Sequence, residues 1–177
     1  MKKQGYLRED AHRWRCISKD IAGGQGVHGF EAIDGFSLHD LYAVGWLGEV
    51  WHYNGNTWQQ KNVVTPVILT DVCCGGDLVY AIGRENTFVT GRGDSWTVKQ
   101  LDLPVDLLSI CWFQGALYAA SARDIFKLNE HSTFEPVVIE SDYPATCGKL
   151  ALGTNSMLSA GERDWFTFDG TNWKRID

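Results

Sequence analysis

Residues 41–58 read LYAVGWLGEVWHYNGNTW, and both halves of that stretch recur along the chain. LYAVG at Leu41 returns as VYAIG at Val79, LYAAS at Leu117 and MLSAG at Met157, at steps of 38, 38 and 40 residues. The closing aromatics Trp58, Trp96, Phe134 and Trp173 step by 38, 38 and 39, and Pro66, Pro104 and Pro144 step by 38 and 40. Three independent markers that share one period identify an internal repeat.

Each unit has the same grammar of apolar run, turn, apolar run, turn, with no helical period. In the second unit the runs are ILTDVCC, LVYAIG, TFVTG and SWTVKQL. Short β-rich runs separated by Gly, Asn and Asp are strand and hairpin chemistry. HYNGNTW at 52–58, TGRGDSW at 90–96 and TFDGTNW at 167–173 therefore mark the hairpin between the third and fourth strands, with its aromatic packing between neighbouring units. Asn54-Gly55 and Asp169-Gly170 predict type I′ turns, in which both central residues take positive φ.

Four-stranded units repeated about every 40 residues are blades of a β-propeller. The expected fold is all-β, a single domain over 1–177 with complete blades at about 27–62, 67–101, 106–140 and 145–177. YLREDAHRW, ending at Trp14, matches the length of VWHYNGNTW, ending at Trp58, which predicts a half-blade hairpin over residues 5–17. That hairpin lacks the two inner strands of its blade, and an open arc of blades exposes its end faces; folded proteins cover such edges. The expectation is a homodimer, two chains meeting head to tail to complete the ring.

The stretch LYAVGWLGEVWHYNGNTW resembles the repeats of bacterial BNR/YVTN-type propellers, the group that includes photosystem assembly factors. The resemblance spans nearly the whole chain and implies the propeller fold. Asn54-Gly55-Asn56-Thr57-Trp58 resembles a shortened form of the S-x-D-x-G-x-T-W box of sialidase-like propellers. The arginine cluster, acid and tyrosine of sialidases match no motif here, and the WD dipeptide of WD40 blades is absent.

Composition narrows the partners. Lys plus Arg is 16 against 22 for Asp plus Glu, a formal net charge of −6, which argues against nucleic acid as the main partner. The start, MKKQGYLREDAHRW, carries no apolar stretch behind its lysines, so no signal peptide is expected. No run approaches the ~18 apolar residues of a membrane span. The expected location is the cytoplasm, away from membranes. Five cysteines, Cys16, Cys73, Cys74, Cys111 and Cys147, form an odd set with no C-x-x-C pair, which argues against a disulfide framework or a zinc site. Matching first strands places Ile33, Cys73, Cys111 and Ala151 at one repeat position, a slot for a compact apolar group, and assigns the thiols to the core. No metal or cofactor is expected.

Several motifs point to chemistry that their context does not support. Gly24-Gln25-Gly26-Val27-His28-Gly29 matches G-x-G-x-x-G, but strand and turn follow it where a dinucleotide site needs a helix. Arg92-Gly93-Asp94-Ser95 spells an adhesion tetrapeptide at a position the repeat already fills with a turn. The histidines His12, His28, His39, His52 and His131 have no metal-ligand spacing. Glu31, Asp71, Ser109 and Lys149 share an inner-strand position and read as solvated channel lining.

The turns between second and third strands share one end of the propeller with the connections between blades. They hold Trp46-Leu47, Arg84-Glu85, Arg123-Asp124 and Glu162-Arg163-Asp164. Trp and Arg are favoured anchors of protein interfaces, so Trp46, Arg84, Arg123 and Arg163 are the candidate partner-binding residues. The expected function is a non-catalytic module that binds another protein, of scaffold, assembly or toxin-neutralising type. A lectin-like propeller is the alternative, although the Trp46 position holds Arg84, Ala122 and Glu162 elsewhere. A propeller hydrolase would need a recurrent catalytic set, which the sequence does not show.

Overall fold

A computed structural model of the chain describes residues 6–8, 14–16, 29–139 and 143–176. The G-x-G-x-x-G segment up to His28, together with His12, lies outside the described residues. Two short strands, β1 (Tyr6–Arg8) and β2 (Trp14–Cys16), pair antiparallel as a separate sheet. Four four-stranded antiparallel meanders follow. Blade 1 is β3 (Phe30–Ser37), β4 (Asp40–Gly45), β5 (Val50–Tyr53) and β6 (Trp58–Lys61). Blade 2 is β7 (Leu69–Gly75), β8 (Leu78–Gly83), β9 (Thr87–Arg92) and β10 (Ser95–Gln100). Blade 3 is β11 (Ser109–Phe113), β12 (Ala116–Ala120), β13 (Ile125–Leu128) and β14 (Phe134–Pro136). Blade 4 is β15 (Lys149–Leu152), β16 (Met157–Ala160), β17 (Trp165–Phe168) and β18 (Trp173–Arg175). The helical content among the described residues is one three-residue 3-10 turn, Trp46–Gly48. No described helix is long and apolar enough to cross a membrane.

The first strands line up beside one another, β3 against β7, β7 against β11 and β11 against β15, so they form the inside of the arc. Side chains alternate between the two faces of each sheet. The face turned towards the following blade and the back of that blade bury a shared core. Val50 with Val72, Phe88 with Ile110, and Ile125 with Leu150 lie in the three seams. The closing aromatics also enter these seams: Trp96 sits 6.1 Å from Tyr42, Phe134 packs edge-on to Phe88 at 5.4 Å, and Trp173 stacks on Phe168 at 4.7 Å beneath blade 3.

An inner strand uses only one of its edges in its own sheet, and its other edge carries N–H groups that need acceptors. Side chains of the preceding blade supply them. Asp34 accepts the N–H of Cys74 at 2.7 Å, and Cys73 Sγ accepts the N–H of Trp112 at 3.0 Å. Two residues earlier, Asp71 accepts the N–H of Ile110 at 3.0 Å and the hydroxyl of Ser109 at 2.9 Å. Ser109 in turn accepts the N–H of Leu150 at 3.2 Å. The result is a two-rung ladder between blades. It corrects two expectations. Asp71 is no channel lining: it is buried, with Lys149 Nζ at 3.6 Å. The slot shared by Cys73 and Cys111 belongs in blade 1 to Asp34, not Ile33. Asp34 faces Tyr42 as Cys73 faces Tyr80 and Cys111 faces Tyr118. A bulge between Gly35 and Ser37 adds one residue to β3, which lengthens the 38-residue step to 39, from Asp34 to Cys73, and not to the 40 that Ile33 requires.

Burial keeps the Cys73 and Cys111 thiols neutral. Cys73 and Cys111 are each 5% exposed. Desolvation, reinforced by the Asp34 charge, pushes Cys73 up to about 12 and Cys111 up to about 11.

The outer hairpins differ from expectation in turn type. Asn54 N–H donates to Thr57 O at 3.2 Å, which makes Gly55 and Asn56 the central residues. Positive φ falls on Gly55 (91°), Gly93 (60°) and Gly170 (104°), while Asn54, Asn56 and Asp94 have none. Glycine first and an ordinary residue second is the type II′ pattern, not I′. Asn54 acts through its side chain instead: Oδ1 accepts the N–H of Asn56 at 3.0 Å and of Thr57 at 2.9 Å. Asp169 does the same for Thr171 at 2.8 Å and Asn172 at 2.7 Å.

Three predictions follow from this arrangement. A Cβ at Gly55 would meet His39 Nδ1 at 2.8 Å, whereas one at Gly93 meets nothing within 4 Å. Gly55→Val is therefore expected to lower the melting temperature clearly more than Gly93→Ala, whose cost is about 1 kcal/mol of left-handed strain; equal shifts in thermal melts would refute the turn assignment. Asp71→Ala orphans the N–H of Ile110 and the hydroxyl of Ser109, and is expected to cost about 3 kcal/mol in urea unfolding. Native-state thiol labelling should meanwhile leave Cys73 and Cys111 unreacted until denaturant is added.

Candidate protein-binding edge

The turns between second and third strands and the connections between blades lie at one edge of the arc. Hydrogen bonds from the turn backbone tie the turns of blades 1, 2 and 4 to the segment that enters the same blade. Trp46 N–H donates to Gly29 O at 2.9 Å, Arg84 N–H to Ile68 O at 3.0 Å, and Arg163 N–H to Thr146 Oγ1 at 3.0 Å. In blade 3, Leu108 N–H reaches Ala120 O at 2.7 Å, and Ala122 O accepts from Cys147, in the segment that follows the blade, at 2.8 Å.

Each of the four expected residues stands on a differently built turn. Trp46 opens the 3-10 turn, which needs Leu47 at φ 56° and Gly48 at φ 69°. A Cβ at Gly48 would stand 2.0 Å from Thr65 O, so only glycine lets the turn close on that connection. The indole N–H of Trp46 donates to Glu31 Oε1 at 2.7 Å, yet the residue is 49% exposed. Arg84 precedes Glu85 (φ 57°) and Asn86 (φ 53°), two left-handed residues closed by Thr87 N–H to Arg84 O at 3.1 Å. That is type I′ geometry without glycine, a strained choice for Glu85. Arg123 sits where Ser121 Oγ accepts the N–H groups of Arg123 and Asp124 at 3.3 and 2.9 Å. Arg163 precedes Asp164, which is buried and accepts from Ala145 N–H at 2.8 Å, Thr146 N–H at 2.9 Å and Arg175. Arg84, Arg123 and Arg163 are all exposed.

Apart from Leu47, the sequence reading missed the apolar part of this edge. Leu47 is 54% exposed, Leu108 48%, Tyr143 43% and Trp165 61%. Val64 and Val138, in the connections, are each 83% exposed. A cleft of about 560 Å³ opens beside Arg84, between Glu85 and the segment Asp106–Leu108. Connections rich in Val and Leu between two polar turns were the available signal; an exposed apolar patch of this kind marks interaction surfaces.

Other candidates dissolve into seams. Arg92 of the tetrapeptide donates to Asp40 at 2.8 Å and lies 3.9 Å above the Phe36 ring, and Asp94 pairs with Lys61 at 3.1 Å. His52 meets the same Asp40 at 2.8 Å and stacks on Tyr42 at 4.5 Å.

Comparison with known proteins agrees with this architecture. No family model matches the chain. It is similar to the immune protein Tsi7 of Pseudomonas aeruginosa, 41% identical over 182 aligned positions that cover all of this chain. The chain spans 59% of the length of that relative. Among solved structures it is similar to YCF48 bound to D1 peptide (TM-score 0.63, 15% identity, 82% of this chain and 54% of the other). It is also similar to virginiamycin B lyase from Staphylococcus aureus (TM-score 0.67, 10% identity, 84% and 55%). These likenesses show the fold: the chain is a β-propeller.

Asp164 yields a pH prediction. The Arg175 hydrogen bond, followed by the backbone N–H groups of Thr146 and Ala145, holds its carboxyl below the ordinary 3.8. A lowered folded value means that the stabilisation is complete above pH 3.8 and is lost as pH falls below it. Asp164→Asn is expected to be less stable than the parent at neutral pH and to converge on it in acid. A constant difference across the acid limb of the melting curve would refute this.

Proposed function

We propose that this chain is a non-catalytic, toxin-neutralising propeller that acts by binding another protein. The observation that carries the reading is the 41% identity, across the full chain, with a protein named as an immune protein. The edge bearing Trp46, Arg84, Arg123 and Arg163 is its docking surface. Exposed Trp and Leu side chains there supply apolar contact, and three arginines supply donors, on turns fixed by hydrogen bonds to the connections. Binding to a rigid surface loses less conformational entropy than binding to a mobile one.

We assign the repeat to the BNR/YVTN type. The site of action is the cytoplasm, and the net charge of −6 favours a basic protein partner over nucleic acid or an anionic membrane. A second copy of the chain is the other partner.

The test is titration calorimetry against the toxin captured by the tagged protein and identified by mass spectrometry. Trp46→Ala should weaken the complex by more than about 1 kcal/mol while leaving the melting temperature nearly unchanged. An affinity indifferent to Trp46→Ala, Arg84→Ala, Arg123→Ala and Arg163→Ala would move the docking surface elsewhere.

A further inference from the structure

The three seams close differently at the hairpin edge, the end of the arc opposite the turns that carry Trp46 and the arginines. In the first seam Arg92 of blade 2 crosses to blade 1, where it donates to Asp40 at 2.8 Å and lies 3.9 Å above the Phe36 ring. In the third seam Gln114 Nε2 of blade 3 donates to Asp169 O of blade 4 at 2.9 Å. Among the described residues no such bridge crosses the second seam at this edge, and a cleft of about 590 Å³ opens there. Register explains the gap. Gly91 pairs with Trp96 as Leu128 pairs with Phe134, so Asn129 stands in the place of Arg92. Its amide donates to Glu135 Oε1 at 2.6 Å, and its Oδ1 accepts the N–H groups of His131 at 2.9 Å and Thr133 at 3.0 Å. A short side chain committed to its own hairpin does not reach blade 2.

The lining residues run from Tyr80 to Glu135, so the cleft lies within blades 2 and 3 and owes nothing to the ends of the chain. Tyr80 and Trp112, stacked at 5.7 Å with their planes 10° apart, supply its aromatic surface. Trp112 rests on Gly75, where a Cβ would stand 2.0 Å from its ring, so the indole is held in place. Gln114, Glu130 and Glu135, all exposed, supply acceptors. Lys127 also borders the cleft, with its ammonium 5.8 Å from the ring of Tyr118, a residue of the third seam. Aromatic rings with a few converging polar groups, in a cleft of this size, are the makings of a small-molecule site.

We infer that this cleft binds a small guanidinium-bearing molecule of the size of an arginine derivative. The first seam shows the chemistry within the same chain: a guanidinium laid on an aromatic ring, with a carboxylate at its end. The second seam keeps the rings and the carboxylates and lacks the guanidinium. A planar guanidinium suits this set better than an ammonium, because it stacks on a ring while its fork of donors reaches carboxylate oxygens. The exposed carboxylates make the binding weak and sensitive to salt. This site goes beyond the proposed function: it lies at the other edge of the arc, and its test involves no toxin, so its failure leaves the toxin reading standing.

Titration of the purified chain with arginine amide, followed through the backbone amides by NMR, tests this, with lysine amide as the control of equal charge. Saturable shifts are expected at Gly115 and Glu130, with a dissociation constant of about 1 mM, and lysine amide should bind about fivefold more weakly. Glu130→Gln combined with Glu135→Gln, whose amide oxygen can keep the Asn129 bond, should weaken arginine amide more than about tenfold with unchanged circular dichroism. Asn129→Arg restores the residue of the first seam and should fill the cleft, abolishing binding. No saturable shift, shifts confined to the opposite edge, or equal binding of the two amides overturns the site. So does a double glutamine variant that binds arginine amide like the parent.

Discussion

The inner edge of each blade is the constraint on which the arc depends. A four-stranded meander satisfies the backbone of its middle strands, but the first strand faces the axis with N–H groups that no strand of its own sheet can take. Here the preceding blade supplies side-chain acceptors at two fixed positions: Asp34 and Cys73 at one, Asp71 and Ser109 at the other. Carboxylate, hydroxyl and thiol serve alike, because the geometry asks only for an acceptor of short reach. The thiol is the weakest of the three, and desolvation that keeps it protonated also makes it compatible with a buried apolar slot.

Fixing the seams from the inside leaves the outer turns free to differ. The three hairpins at Gly55, Gly93 and Gly170 keep one type, and the aromatics that follow them bury into or beside the seams. At the opposite edge no two turns are alike: a 3-10 turn at Trp46, a left-handed pair at Glu85-Asn86, a serine-capped turn at Ser121 and an aspartate-latched turn at Asp164. Uniform strands and divergent turns are what a scaffold looks like when one edge carries a specific task.

The sequence displayed the repeat because packing imposes it: every blade must return an alternating strand to the same depth, so LYAVG, VYAIG and LYAAS recur with little choice. The register of β3 was hidden, since one bulged residue beside Gly35 makes the true step 39, from Asp34 to Cys73, which neither the 38-residue period nor a 40-residue step from Ile33 reproduces. Asp71 was hidden for another reason. A carboxylate on an inner strand looks solvated until the neighbouring blade is seen to aim two donors at it. Of the turn edge, Trp46-Leu47 and the arginines were legible from strand order, whereas the exposed Leu108 and Trp165 were not, because alternation cannot tell a residue that faces a blade from one that faces solvent.

The ionisable groups most suggestive of catalysis are engaged in holding blades together. Asp40 and His52 have the spacing of a general-base pair, but Arg92 from blade 2 takes the other carboxylate oxygen and Tyr42 stacks on the ring, so both ends of the pair are committed to the first seam. Lys61 with Asp94, and Lys149 with Asp71, cross between blades in the same way. A base fixed by an arginine and an aromatic face has little freedom to approach a substrate, and a thiol raised to about 12 supplies almost no thiolate near neutrality. The turn edge, with its exposed Trp and Arg side chains, is where the proposed docking would act. The proposed neutralisation of a protein by covering it asks for a rigid, aromatic surface of that kind, and asks nothing of the chemistry that the seams have taken.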